Sequence, residues 1–394
     1  MESILVPAYR GRKMGRSDND VALTPEVEGL LQRDCVVAVG VSGGKDSDAC
    51  AIAVSRHLDR IGHRGPRVLI HADLGLVEWK DSLPSCQRLA ERLGWELMVV
   101  QRKAGGLMER WEGRWANNVA RYNSLECVKL ILPWSTPNLR FCTSELKYSV
   151  VCSALRKRFP KSEILNVTGV RREESATRKR MPVSEVMNKL TKKGLLGVAW
   201  NAIIEWPVED VFAAIHSAGL RLHEAYTVYG ASRVSCAFCI MSTLRDLMAA
   251  ANCSDNVGLY LRMVQLEADS SFAFQGGRWL ADAAPHLLPP ELAEKVAQAK
   301  EKARLREEIE AELPKHLLYT SGWPTAVPSL QEAELIASVR RRVSALLGLQ
   351  AEHLDAESVQ KRYADLMAQK VIADAKKRGR KAKVSPQLVE ETQE

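Results

Sequence analysis

No stretch of this 394-residue chain approaches the run of about 20 apolar residues that a membrane-spanning helix needs. Met1 to Arg16 lacks the apolar core of a signal peptide. Together these absences predict a cytoplasmic protein. In that reducing compartment its nine cysteines are read as thiols, metal ligands or nucleophiles rather than disulfides. No cysteine follows Cys253, and no internal repeat is visible. Composition is not extreme: 46% hydrophobic and 26% charged residues exclude a disordered or fibrous chain. The length predicts more than one domain.

The net charge is +8, and much of the excess is local. Lys370, Lys376, Lys377, Arg378, Arg380, Lys381 and Lys383 face a single carboxylate, Asp374. Such a tail suits DNA or RNA, and it equally suits a solvated, frayed terminus.

Residues 1–33 read as a lead-in without a clear pattern. From Cys35 onward strands and helices alternate: strands at Cys35–Val41, Arg67–Ala72, Glu96–Gln101, Glu163–Thr168 and Ala202–Glu205, with helices at Asp46–Ile61, Trp79–Leu93, Ser144–Phe159 and Pro207–Ser217. Continuous apolar strands between helices predict an α/β fold, an open and mostly parallel sheet with helices on both faces. From about 285 the texture becomes Ala-, Glu-, Lys- and Leu-rich, predicting helices at Glu291–Leu313, Leu330–Leu347 and Asp355–Arg378. The expected organisation is a nucleotide-binding domain over 34–250, a helical C-terminal region over 251–370 and a basic, polar tail over 371–394.

Ligands in such sheets sit at the carboxyl ends of strands. The first strand runs into Ser42-Gly43-Gly44-Lys45-Asp46-Ser47. Two glycines let backbone N–H groups turn inward, and the following helix adds unpaired donors and partial positive charge. Ser42, Ser47 and Lys45 add side-chain donors, which makes an anion cradle. It is neither the Gly-x-x-x-x-Gly-Lys loop nor the Gly-x-Gly-x-x-Gly turn. The plainer reading is an ordinary strand–helix turn.

Two more segments end strands. His71-Ala-Asp73-Leu-Gly75 offers a carboxylate acceptor and a close backbone approach, with an ordinary strand-end turn as the alternative. Gly169-Val-Arg171-Arg172-Glu173-Glu174-Ser175-Ala-Thr-Arg178 brings several guanidinium groups, which suit bidentate binding of phosphate or sulfate. An exposed charged helix face is the alternative.

Cysteines supply the remaining chemistry. Arg140-Phe-Cys142-Thr143-Ser144 opens a helix that Thr143 or Ser144 would cap, and a thiolate there would be favoured. Cys236-Ala-Phe-Cys239, with Cys253 further on, has metal-ligand spacing. With Cys142 there are four candidate ligands, for an iron–sulfur cluster ahead of zinc; a pair of buried free thiols is the alternative. Cys35, Cys50, Cys86, Cys127 and Cys152 sit in apolar patterns and read as core. Trp111, Trp115 and Tyr122, interleaved with Arg110, Arg114 and Arg121, have the makings of a base-stacking platform, but the i, i+4 tryptophans read better as core.

The Ser-Gly-Gly-Lys-Asp-Ser string resembles the pyrophosphate loop of the PP-loop ATP pyrophosphatase superfamily. Gly169, Arg171, Glu174, Ser175 and Arg178 resemble the second signature of its phosphoadenosine phosphosulfate (PAPS) reductase-like branch. Asp73 and Gly75 resemble an Asp-Thr-Gly segment there, with Leu74 in place of Thr. The Arg-x-Cys-Thr string at Cys142 also occurs in that branch, and Ile203–Phe212 resembles a segment read as architecture. The likeness spans about Cys35 to Met241. Within it, the chain is closest in character to the ATP pyrophosphatases of DNA phosphorothioation and to tRNA thiolases.

The resemblance implies ATP with its β,γ-phosphates on Ser42–Ser47, and Lys45 and Mg²⁺ offsetting charge on departing pyrophosphate. Asp46 would help hold the metal, Asp73 and Gly75 would line the adenosine side, and Lys45, Asp46 and Arg171 would be catalytic. The acceptor would be adenylylated for sulfur transfer to a nucleic acid, with a sulfur-donor protein as a further partner. The alternatives are PAPS or adenosine phosphosulfate reduction, and a non-catalytic nucleotide-sensing module. Reductases of that branch carry a late catalytic cysteine that has no counterpart after Cys253. The paired cysteines of its adenosine phosphosulfate reductases are reduced here to Phe141-Cys142.

Overall fold

The computed structural model describes residues 21–384 and the side chains of 21–376. Residues 1–20 of the lead-in, and the tail's cations from Lys377 onward, lie outside what is described. Two compact units form. Within the described residues the first comprises 21–110, 135–263 and 278–287; the second comprises 111–134, 264–277 and 288–384.

The first unit is built on a six-stranded sheet of β1 (Val36–Gly40), β2 (Arg67–Asp73), β3 (Glu96–Gln101), β4 (Ile164–Val167), β5 (Ser184–Val186) and β6 (Gly197–Trp200). The strand order is β3-β2-β1-β4-β6-β5. Every pairing is parallel except β5 against β6. The expected open, mostly parallel α/β sheet is therefore what forms. Alternate residues of β1 enter different cores. Val37 and Val39 pack with Ala49, Ile52 and Ile215 of flanking helices. Val36 and Ala38 pack with Cys152 and Leu155 on the other face. Both faces are covered, which explains why the strand reads as an unbroken apolar run.

The chain leaves β1 in one direction for β2 and β3, then returns to its other side for β4. The order reverses at β1, so the carboxyl ends of β1 and β4 border the crevice where ligands of such sheets bind.

One expected strand is corrected. Ala202–Glu205 is a turn, and the strand beside β4 is Gly197–Trp200. Ala202, Ile203 and Ile204 are fully buried, so their apolar run reports burial rather than extension. Gly197 is fitted to its strand because a Cβ there would collide with Leu190. A second correction concerns the helix at Cys142. It starts at Phe141, with Arg140 at the cap position and no side-chain cap bond. Thr143 and Ser144 instead lie inside the first turn, their N–H groups bonded to the Arg140 carbonyl. Ser144–Tyr148 is π-helical before the α-helix resumes at Ser149.

The second unit contains the expected late helices, at Pro290–Ala311, Leu330–Leu347 and Ala356–Val384. The middle helix is capped by Ser329 with Glu332 and ends at Gly348, whose φ of 68° suits a left-handed terminator. Tyr122, Ile336, Val343 and Tyr363 share one core there. Arg340 is wholly buried in that unit. Its guanidinium donates to the carbonyls of Tyr122, Asn123 and Glu352 at 2.9, 3.1 and 2.7 Å. Trp111 packs edge-on against Trp134 and Phe274, and Trp115 against Phe272, so these rings are core. No helix among the described residues is long and apolar enough to cross a membrane.

Candidate functional site

The loop after β1 bends at Gly43, whose φ is 73°. A Cβ there would stand 2.9 Å from the Ser82 carbonyl oxygen, so glycine is required for both shape and space. Gly44 occupies the cap position of the Lys45–Arg60 helix without a side-chain cap bond. Ser47 folds the loop by donating its hydroxyl to the Gly44 carbonyl at 2.8 Å and accepting the Ser42 N–H at 3.3 Å. Among the described residues, the backbone N–H groups of Gly43, Gly44 and Asp46 meet no acceptor. These are the donors that an oxyanion at a helix start would take.

Lys45, Asp46 and Arg171 come together as one charged chain. Lys45 Nζ lies 3.2 Å from Asp46 Oδ2. Arg171 Nε donates to Asp46 Oδ1 at 2.7 Å, and its Nη1 donates to Glu173 at 2.6 Å. Lys45 and Arg171 are both buried. Burial works against the charge of Arg171, but its bonds to Asp46 and Glu173 outweigh it and raise its pKa. Next in the helix, burial pushes the Asp48 carboxyl up to about 7.

Gly169 lies against this loop, since a Cβ on it would overlap the Asp46 carbonyl. The rest of the second signature folds its own segment. Glu174 accepts the Arg171 N–H at 2.9 Å and pairs with Arg178. Ser175 accepts the Arg178 N–H at 3.2 Å. Of these side chains, it is Arg171 that reaches the loop after β1. Arg172 is not free for an oxyanion: it ties the segment down through Glu205 and the carbonyls of Lys179 and Met181. After β2, Asp73 Oδ1 accepts the Gly75 N–H at 2.7 Å, closing a turn in which Gly75 has a φ of 74°.

His71 is buried behind the loop. Its Nδ1 donates to the Val41 carbonyl at 3.0 Å, and its Nε2 faces Glu78 at 2.9 Å. A carbonyl accepts and never donates, so Nδ1 carries a proton. Burial opposes a charge on this ring, yet hydrogen bonds with Cys86 and Glu78 raise its pKa to about 10. His223, also buried, is the opposite case. Its Nδ1 accepts the Ala225 N–H at 2.9 Å, leaving Nε2 to donate to Ser82 at 3.3 Å. Burial lowers its pKa to about 4. Tyr226 completes the surround. Its hydroxyl accepts the Lys45 N–H at 3.3 Å, and its ring lies 5.3 Å from the Lys45 ammonium. No spacing rule marks His223 or Tyr226 in the sequence, since their partners lie about 140 and 180 residues away.

The four candidate metal ligands do not converge. Cys142, Cys236 and Cys239 are neighbours enough for the other two thiols to act on the titration of Cys236, which burial raises. The Cys253 thiol instead lies close enough to Tyr229 to raise that phenol's pKa. Among the described residues no group of three or more His, Cys, Asp or Glu side chains is gathered to hold a metal ion. Asp46 meets a cation at each carboxylate oxygen, Lys45 at one and Arg171 at the other.

An open parallel sheet with a glycine-bent loop and a helix start at its switch point defines a nucleotide-binding class of α/β domain. The chain belongs to the phosphoadenosine phosphosulfate reductase domain family, which it matches over residues 36–241. No curated protein matches it. Among solved structures it is similar to the U34-tRNA thiolase NcsA from Methanococcus maripaludis with its [4Fe-4S] cluster. The identity is 16%, with 62% of this chain and 74% of that chain covered and a TM-score of 0.32. That likeness carries no argument about activity.

Proposed function

We propose that the first unit binds ATP and transfers its adenylyl group to an acceptor, releasing pyrophosphate. The observation that carries this reading is the loop from Ser42 to Ser47. The N–H groups of Gly43, Gly44 and Asp46, which meet no acceptor among the described residues, and the Lys45 side chain lie together at the start of a helix, beside the switch point of the sheet. The family match agrees with an adenine nucleotide as the ligand. Magnesium, when bound with ATP, would offset phosphate charge; the role assigned to the protein here rests on Lys45, the loop amides and Arg171. Arg171 orients Asp46 and so sets the position of the loop. Asp73 and Gly75 stand after β2 for the adenosine end, while Gly169 lets the second signature approach closely.

The acceptor we favour is a nucleic acid that then receives sulfur. The tail's cations and a sulfur-donor protein fit that reading. The family's name favours a second one, reduction of PAPS or adenosine phosphosulfate. An iron–sulfur cluster or zinc on the four cysteines would require those thiols to draw together, and no step is assigned to it.

Release of labelled pyrophosphate from ATP, with and without RNA or DNA, tests the first reading. Sulfite formation from PAPS with thioredoxin tests the second. Replacing Lys45 and Asp46 together by alanine should abolish adenine-nucleotide binding in a folded protein; unchanged binding overturns the assignment of the loop.

A further inference from the structure

The segment from His223 to Val234 lies along the phosphate loop, with one contact to each of three successive loop residues. A Cβ on Gly43 would stand 3.2 Å from His223 Cδ2, and one on Gly44 would stand 3.5 Å from Val234 Cβ. The Lys45 N–H donates to the Tyr226 hydroxyl at 3.3 Å. Both ends of the segment are tied down. Asp81, itself held by Arg88, accepts the Glu224 N–H at 3.1 Å. Asp246 accepts the Ser232 N–H at 2.7 Å and its hydroxyl at 3.0 Å.

The phenol oxygen of Tyr226 is a shared point between two loops. Besides Lys45 it accepts the N–H of Val234 at 3.1 Å. Val234 stands two residues before Cys236, the first thiol of the Cys-x-x-Cys pair. The next residue, Ala237, is bound through its N–H to the Val77 carbonyl at 2.8 Å. Lys45 is the first residue of its helix, so its N–H is among the donors an incoming anion takes.

We propose that Tyr226 is a positioning residue that couples occupancy of the phosphate loop to the placement of the Cys236–Cys239 loop. An oxyanion settling at the helix start competes with the phenol for the Lys45 N–H. A phenol that loses or weakens that bond shifts its bond to Val234, and the cysteine loop follows. This inference rests on the assignment of an adenine nucleotide to the loop, and it adds a route by which that nucleotide acts on the thiols.

Amide hydrogen exchange on the full chain tests it, read by mass spectrometry with and without Mg²⁺ and α,β-methylene-ATP. In the parent, exchange should change by about tenfold in peptides covering 42–48 and also 231–240, within the range usual for coupled sites. Tyr226→Phe keeps the ring but loses the acceptor oxygen. It should keep the response at 42–48 and lose most of it at 231–240. Val234→Pro removes the other N–H and should uncouple the loops in the same way, which guards against a folding defect in either variant. Ser232→Ala loosens the segment away from the phenol and should leave the coupling in place. A Tyr226→Phe protein with the parent's full response at 231–240 overturns the proposal. So does a parent that binds the analogue with no response there, although the nucleotide assignment then stands. Absence of analogue binding by calorimetry overturns both.

Discussion

Arg171 Nε and Asp46 Oδ1 meet at 2.7 Å although 125 residues separate them in the chain. One belongs to the segment after β4 and the other to the helix after β1, two strands that are parallel neighbours. The pair locks the two segments that border the switch-point crevice. Removing Arg171 leaves the Asp46 carboxylate with Lys45 as its remaining cationic partner in that group, at a cost of about 2 kcal/mol. Arg171→Met should lower the unfolding free energy by about that amount. Adding Asp46→Asn should recover part of the loss in a double-mutant cycle followed by denaturant titration. Strict additivity would show that the contact is not energetically coupled.

Gly43 tests the loop without altering charge. Alanine there meets a φ of 73° and the Ser82 carbonyl at 2.9 Å. The strain of about 1–2 kcal/mol falls on the loop itself. Gly43→Ala should weaken ATP binding at least about tenfold by calorimetry. Gly62 provides the control, since its φ is also positive but a Cβ there meets nothing within 4 Å. Gly62→Ala should leave binding as in the parent.

The two buried histidines give opposite pH dependences. His223 titrates at about 4 when folded, against an ordinary value of 6.5, because it is buried. Asp81 partly offsets this shift, while Arg88 and Arg221 reinforce it. Its stabilising contribution is present above 6.5 and lost as pH falls through 4, amounting to about 3 kcal/mol in all. His223→Gln should therefore show a flatter fall of melting temperature between pH 6.5 and 4 than the parent. His71 is raised to about 10 by Cys86 and Glu78 against the effect of burial. Its contribution is complete below 6.5 and lost as pH rises through 10, so His71→Gln should lack that alkaline loss.

In the second unit, Arg340 donates to three backbone carbonyls from a fully buried position. Lysine retains the charge but cannot present the planar fork that reaches all three. Arg340→Lys should cost about 3 kcal/mol, read as an earlier urea transition in circular dichroism.

Cys253 separates the two views of the thiols. It lies near enough to Tyr229 to raise that phenol's pKa. Cys253→Ala should leave the iron and zinc content of anaerobically purified protein equal to the parent's, by mass spectrometry of the metals. Loss of metal in that variant would restore Cys253 as a ligand.

Much of the fold was legible because it is locally encoded. The unbroken apolar run of β1 and the glycine pair after it announced a two-sided parallel strand feeding a helix. Gly169 and Arg171 were legible as a second loop for the same reason: each follows an apolar strand. The error at Ala202–Glu205 has a simple origin. Burial alone makes a turn under a core as apolar as a strand, and the true partner of β4 depends on Gly197 fitting beside Leu190.

The sequence by itself determined the alternation of strands and helices, the bent glycine loop and the late helices. These follow from side-chain period and backbone freedom over a few residues. The tertiary structure alone decided that Asp46 answers Arg171, that Tyr226 joins the Lys45 and Val234 amides, and that Cys253 lies near Tyr229. Such contacts depend on which chain ends the sheet order brings together, and hydrogen bonds and ion pairs act only between atoms already within a few ångströms.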